Sequence, residues 1–275
     1  MTRSDPASDA LQTVAKGAFP FTLACPSFVF RAGYTENVRR LGPHVDEIQL
    51  LFFESRPPGS LPASSLIRTL ADLGRETSLT FSVHLPSDIF LGHNDANERR
   101  RATEVLIDLI DRCAPLCPST FTLHLERDRS ADDPRGWQDR SIDALRSVLD
   151  QGIDSRCISV ENLDYDFTLA APVVEALNLS VCMDMGHLLA RGEAIGPFFD
   201  RWRQRIPIVH LHGVTGSQDH LPLDRMSVAH VAEVIGLLNG FAGGVTLEVY
   251  SAAALEASLA WLKNRLTIEG KKPCP

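Results

Sequence analysis

The chain has few of the features that mark a protein for nucleic acid, a membrane or a covalent nucleophile. Its 27 Lys and Arg are outnumbered by 35 Asp and Glu, for a net charge of −8. A surface that grips phosphate backbones needs clustered basic side chains, so nucleic acid is not expected as the main partner. No apolar run approaches the ~20 residues of a membrane span. The stretch Met1 to Ala18 is polar and lacks the apolar segment of a signal peptide, so a cytoplasmic location is expected. The six cysteines are scattered. Cys113 and Cys117 stand at helical spacing around a proline but have no matching Cys or His pair, which argues against a zinc knuckle and for reduced, mostly buried thiols. There is no Gly-x-Ser-x-Gly elbow and no Ser-His-Asp order to supply a nucleophile. Ala24-Cys25-Pro26-Ser27, after the first strand, lacks the glycines of the phosphate loop expected in an open doubly wound sheet.

What the chain does have is an alternation of short apolar strands and amphipathic helices at a spacing of roughly thirty residues. Strands are expected at Phe21–Cys25, Asp46–Phe53, Leu79–Val83, Thr120–Leu123, Cys157–Val160, Val181–Met183, Ile206–His212 and Gly244–Leu247. Helices are expected over Tyr34–Leu41, Ala63–Thr77, Asn94–Ala114, Asp139–Leu149, Leu169–Leu177, Ser227–Leu238 and Ala252–Leu266. Asp46 to Phe53 is too apolar for burial on one face alone, which suits a parallel sheet covered on both sides. These eight units predict a single (β/α)8 TIM barrel over residues 19–268, with a flexible tail at 1–18 and another at 269–275. One domain of about 250 residues is ordinary for an α/β barrel.

The ends of these strands carry the chemistry. Val181-Cys182-Met183-Asp184 stops at a carboxylate, and His187 follows one turn later at the start of a helix. Asp184 alone reads as a helix cap, but the arrangement recurs. The strand ends and the loops beyond them supply Glu54, His84, His124, Glu161, Asp184, His187, His210, His212, His220 and Glu248. Of nine histidines, only His44, His93 and His230 lie elsewhere. In a barrel all eight strand C-termini open onto one face. Converging carboxylates and imidazoles would be costly to bury unpaired, and divalent cations relieve that cost. His with carboxylate and no thiolate suits Zn²⁺, Mn²⁺, Fe²⁺ or Co²⁺, with more than one ion expected. Cys182, two residues before Asp184, is expected one layer deeper as core packing. His210 and His212 share a strand face, and either is a candidate ligand. His220 is a ligand or an exposed loop residue. Phe28, Tyr165 and Phe167 are candidates for stacking on a flat ligand, and Glu54 and Asn162 for contacting substrate.

His84, His124, Glu161, Asp184 with His187, the His210/His212 pair, His220 and Glu248 resemble the ligand set of the xylose isomerase-like barrel superfamily, which includes endonuclease IV and sugar isomerases and epimerases. Further segments resemble the CbiR-type cobamide-remodelling phosphodiesterases: Phe19-Pro20-Phe21, Cys25-Pro26-Ser27-Phe28, Asn37 to Leu41, Asp46 to Ser55, Val83-His84-Leu85-Pro86, Glu161-Asn162-Leu163 and Met183-Asp184-Met185-Gly186-His187. The likeness runs from about Phe19 to Trp261. It implies a hydrolase with a small-molecule partner, the corrinoid. This enzyme would cut the nucleotide-loop phosphodiester of a cobamide to cobinamide phosphate and the α-riboside of the lower base. Glu161, Asp184 and Glu248 would be its catalytic carboxylates. For these products water attacks phosphorus and the ribose oxygen leaves; internal attack by the neighbouring ribose hydroxyl, through a cyclic phosphate, is the other route open to such an ester. The competing readings are a one-metal sugar isomerase or epimerase working through Glu161 and Glu248, an apurinic-site endonuclease, and a non-catalytic corrinoid- or sugar-binding barrel.

Overall fold

Alternate residues along each strand separate two environments. Leu23 and Cys25, Ile48 and Leu50, Phe81 and Val83, Val181 and Met183, Val209 and Leu211, and Val245 and Leu247 belong to one continuous buried apolar cluster shared with the helices. Each such side chain contributes about 1.5–3 kcal/mol when fully buried. The other alternate set is small or polar: Gln49, Ser82, Thr122, Ser159 and Thr246 are buried but belong to no apolar cluster. By the period of two, this set faces the barrel axis.

The computed structural model describes residues 10–56, 61–127, 133–216 and 218–266. Its strands are β1 (Thr22–Pro26), β2 (Glu47–Leu51), β3 (Thr80–His84), β4 (Phe121–Leu123), β5 (Ile158–Glu161), β6 (Ser180–Asp184), β7 (Ile208–Leu211), β8 (Gly213–Thr215), β9 (Gln218–Leu221) and β10 (Gly244–Leu247). All but β8 and β9 form a closed barrel in the order β1-β10-β7-β6-β5-β4-β3-β2, paired parallel throughout. The helices are α1 (Tyr34–Leu41), α2 (Ser64–Thr77), α3 (Ala96–Cys113), α4 (Pro134–Leu149), α5 (Ala171–Ala176), α6 (Met185–Ala190), α7 (Ile195–Trp202), α8 (Val228–Leu238) and α9 (Ala252–Leu266). This is the (β/α)8 barrel that the alternation predicts. Among the described residues no helix is long and apolar enough to cross a membrane.

Three departures from expectation matter. The stretch after β7 is not a plain polar loop: β8 and β9 form a small antiparallel hairpin, which carries His220 with its backbone in the left-handed region at φ 51°. Helix α7, between β6 and β7, has no clear counterpart in the sequence pattern. Residues 10–17, expected in a flexible tail, are bonded to the barrel. The Gln12 and Thr13 amides and the Thr13 hydroxyl all donate to the Glu256 carboxylate on α9 at 2.7–3.1 Å. Ala15 N–H donates to His44 O, and Gly17 N–H to Asp46 Oδ1. The remaining tail positions, 1–9 and 269–275, lie outside the described residues.

Glu256 therefore pins the N-terminal segment. Replacing it by Ala should raise amide hydrogen exchange at Gln12 and Thr13 by an order of magnitude or more, while the strand amides keep their protection. Unchanged exchange at residues 12 and 13 would show that the segment is held by something else.

Candidate metal centre

The strand C-termini, α6 and the β8–β9 hairpin bring all nine expected ligands to the barrel mouth. They form three groups. His84, His124 and Glu161 make one; Glu161, Asp184, His210 and Glu248 a second; His187, His212 and His220 a third. Within each group, one nitrogen or oxygen per residue lies within 4.8 Å of all the others. Glu161, at the end of β5, belongs to the first two. Its Oε2 sits 3.3 Å from His84 Nε2 and 3.0 Å from His124 Nε2, while its Oε1 is 3.2 Å from His210 Nδ1.

Asp184 caps a helix with one carboxylate oxygen and presents the other to the cluster. Its Oδ1 accepts the His187 N–H at 2.7 Å and so caps α6. Its Oδ2 is buried and makes no hydrogen bond, with His187 Nδ1 3.5 Å away, and Glu248 Oε2 is buried and makes none either, with His210 Nδ1 3.2 Å away. Buried carboxylate oxygens left without a hydrogen bond are rare and costly. Here both belong to the second ligand group, which is the arrangement a divalent cation would complete. The donor set of imidazole and carboxylate fits such a cation.

Neighbouring side chains hold these ligands in place. Asn162 donates to Asp184 O and accepts from Asp184 N–H, at 2.9 and 2.8 Å, tying β5 to β6. The Tyr250 hydroxyl donates to Glu248 Oε1, and its ring stacks on His220, whose other face stacks on His212. His220 Nδ1 pairs with Asp219 Oδ1 at 3.0 Å. Gln49, on β2, meets His210 Nε2 at 2.8 Å. Gly186 permits the close approach of α6 to β7, because a Cβ there would lie 2.0–2.4 Å from the His212 ring.

The mouth is a cleft of about 190 Å³ lined by Leu51, Phe53, His84, Leu85, Ser87, His124, Glu161, His187, His220, Glu248 and Tyr250. Of the expected substrate contacts, Asn162 is buried beneath the ligands as a strand clamp. Tyr165 lies outside the cleft lining, donating its hydroxyl to Leu125 O and packing edge-on against Trp137. Phe28 is also set back, behind Phe53 and Tyr34. Phe167 lines a separate groove with Phe198 and Trp202. Glu54 is exposed one residue past the lining Phe53. The aromatic rim consists instead of Phe53 and Tyr250, 44% and 41% exposed, with ring centroids 6.5 Å apart. Tyr250 lies just past a strand end, where strand periodicity gives no signal. Cys182, expected as core packing, is buried but stands outside the apolar cluster, within reach of Glu161 and His210, its thiol pushed up to about 12 by burial.

The carboxylates and imidazoles are mutually charged. Burial would raise Glu161, but His210 and His124 hold it well below the usual carboxylate range; His210 and His220 do the same for Glu248. Burial would lower His124, but Glu161 and Glu126 lift it to about 10. His220 is likewise lifted to about 9 by Glu248 and Asp219. Without cations, these imidazoles hold protons at neutral pH that a cation must displace. Zinc binding should therefore release protons at pH 7, seen as a dependence of calorimetric heat on buffer ionisation enthalpy. The same two groups, raised from about 6.5 in the unfolded chain, stabilise the cation-free fold fully below that pH. Their contribution is lost as pH climbs towards 9–10, so the melting temperature of the cation-free protein should fall across this window while that of the zinc-loaded protein does not. Asn162→Ala would leave two buried backbone groups unpaired, at about 1–3 kcal/mol each. A denaturant midpoint unchanged from wild type would dismiss the clamp.

No curated protein sequence matches the chain at a significant level. Solved structures with the same fold include a D-tagatose 3-epimerase-like protein, at 18% identity and TM-score 0.75 over 90% of this chain and 97% of that one. D-psicose 3-epimerase from Clostridium cellulolyticum matches at 15% identity and TM-score 0.73, over 90% and 100%. Endonuclease IV from Thermus thermophilus matches at 20% identity and TM-score 0.67, over 88% and 99%. The model of the xylose isomerase-like TIM barrel family matches residues 36–265, most of the chain, and the protein belongs to that family.

Proposed function

We propose that the protein is a metal-dependent phosphodiesterase, and that its substrate is the nucleotide-loop phosphodiester of a cobamide. The observation that carries the first part is Glu161, whose two oxygens serve two ligand groups at once. A sugar epimerase needs one cation, and Glu161, Asp184, His210 and Glu248 would suffice for it. His84, His124, His187 and His220 would then be surplus imidazoles in the same cleft. A shared carboxylate with imidazoles on both sides suits two or three ions, which can clamp both the attacking and the leaving oxygen of a phosphoryl displacement. An endonuclease among the fold neighbours adds support for phosphodiester chemistry, as the epimerases do for the alternative.

Cations held by these residues would supply Lewis-acid stabilisation of phosphoryl charge and acidify a water. The chain's own residues do the rest. The cleft's 190 Å³ admits a phosphodiester, but a corrin ring must stay outside, against Phe53 and Tyr250. Tyr250 holds Glu248 through Oε1 and leaves Oε2 facing the cluster, 3.2 Å from His210 Nδ1. The cobamide assignment itself rests on the sequence resemblance in the first strands and around Glu161-Asn162-Leu163.

Incubating the zinc- or manganese-loaded protein with adenosylcobalamin should give cobinamide phosphate and the α-riboside, identified by mass. A chelator should abolish turnover and re-addition of metal restore it, and Glu161→Ala should fall to background. In oxygen-18 water the label should appear in cobinamide phosphate; label in the riboside would instead mean cleavage of the carbon–oxygen bond. A fully loaded protein that binds one ion, leaves the cobamide intact and interconverts ketohexoses would overturn the proposal in favour of an epimerase.

A further inference from the structure

The strand end His210-Leu211-His212 sets two imidazoles on one face of β7, but their ring nitrogens meet different partners. An imidazole ligates a cation only through a nitrogen with a free lone pair, and the hydrogen bond at its other nitrogen decides which one that is. His210 Nδ1 lies 3.2 Å from Glu161 Oε1, 3.2 Å from Glu248 Oε2 and 3.9 Å from Asp184 Oδ2, in the midst of the carboxylates. Its Nε2 faces the Gln49 amide at 2.8 Å. Ligation through Nδ1 puts the ring proton on Nε2, so Gln49 must accept there. Its only acceptor, Oε1, is otherwise a buried oxygen with no hydrogen-bond partner. Half a turn of the amide exchanges oxygen and nitrogen within nearly the same volume and brings Oε1 onto Nε2–H.

His212 is fixed from the opposite side. Its Nδ1 accepts the His220 backbone N–H at 2.9 Å; the Gly213 carbonyl, at 3.4 Å, is the longer and weaker contact. A backbone N–H can only donate, so Nδ1 is the bare nitrogen and Nε2 keeps the ring proton, 3.2 Å from Asp184 Oδ1 but outside hydrogen-bond geometry.

We propose that the two imidazoles have opposite jobs. His210 ligates a cation through Nδ1, with Gln49 as the positioning residue that fixes its tautomer. His212 keeps its ring proton on Nε2, on the side facing Asp184, and ligates nothing. The assignment rests on the metal reading of the site and is independent of the phosphodiesterase reading.

Zinc alone is the probe. In nitrogen-15 spectra of histidine-labelled, zinc-loaded protein, His210 should show a zinc-shifted Nδ1 and a protonated Nε2. His212 should show a protonated Nε2 and an unligated Nδ1. By equilibrium dialysis, Gln49→Met, which keeps the volume but not the acceptor, should weaken one ion by ~10–100-fold. Gln49→Glu, which keeps an acceptor, should restore it to within a few fold. His212→Gln, whose amide nitrogen stands in for Nε2–H, should bind as many ions as wild type. Zinc on Nε2 of His210, wild-type affinity in Gln49→Met, equal weakening in both Gln49 variants, or a lost ion in His212→Gln would overturn the assignment. None of these readouts depends on turnover, so failure here is distinct from failure of the proposed reaction.

Discussion

Three carboxylates, Glu161, Asp184 and Glu248, are buried within ligand distance of one another around His210. Much of the barrel mouth follows from the need to satisfy them. Like charges crowded into a water-poor site repel strongly, and the desolvation of each is expensive. The chain answers with imidazoles on every side, with a helix N-terminus on Asp184, and with a tyrosine hydroxyl on Glu248. Two oxygens still lack a hydrogen bond. Imidazoles raised by these carboxylates would balance the charge in the absence of cations, and bound cations would take over that part. The site is thus a competition between protons and metal for the same electron pairs.

The barrel was legible in the sequence because both signals behind it are local: alternation of short strands with helices, and a polar residue closing strand after strand. Those closing residues were also the candidate ligands, which is why the site could be named before its geometry was known. What escaped was set by contacts between elements. Asn162 looked like a substrate contact because it follows a ligand, yet its amide bridges two strand ends, and only the pairing of β5 with β6 reveals that. Phe28 and Tyr165 are aromatic and near the mouth in sequence, but packing turns them away. Phe53 and Tyr250 form the rim because the loops after β2 and β10 converge. Gln49 was hidden inside a run read as apolar.

The β8–β9 hairpin has a comparable explanation. Its sequence, with Gly213, Gly216 and Asp219 over a few residues, reads as a loop, and its strands are too short for a period to register. Folding it back places His220 between His212 and Tyr250 in a stack of rings. The left-handed backbone at His220 is uncommon for a residue with a side chain, and it aims the amide at one histidine while presenting the ring to the cleft. A single residue thereby links the geometry of the third ligand group to that of the second.

The polar lining of the axis bears on how such a barrel can change. In many barrels branched apolar side chains fill the centre and help hold the strands. Here the cohesive apolar residues are on the outward faces, against the helices, while Gln49, Ser82, Thr122 and Thr246 occupy the middle with oxygens that lack partners. Substitutions along the lumen would cost such a scaffold little cohesion. The floor beneath the cations is therefore open to evolutionary retuning, and reactions as different as epimerisation and ester cleavage can share one frame.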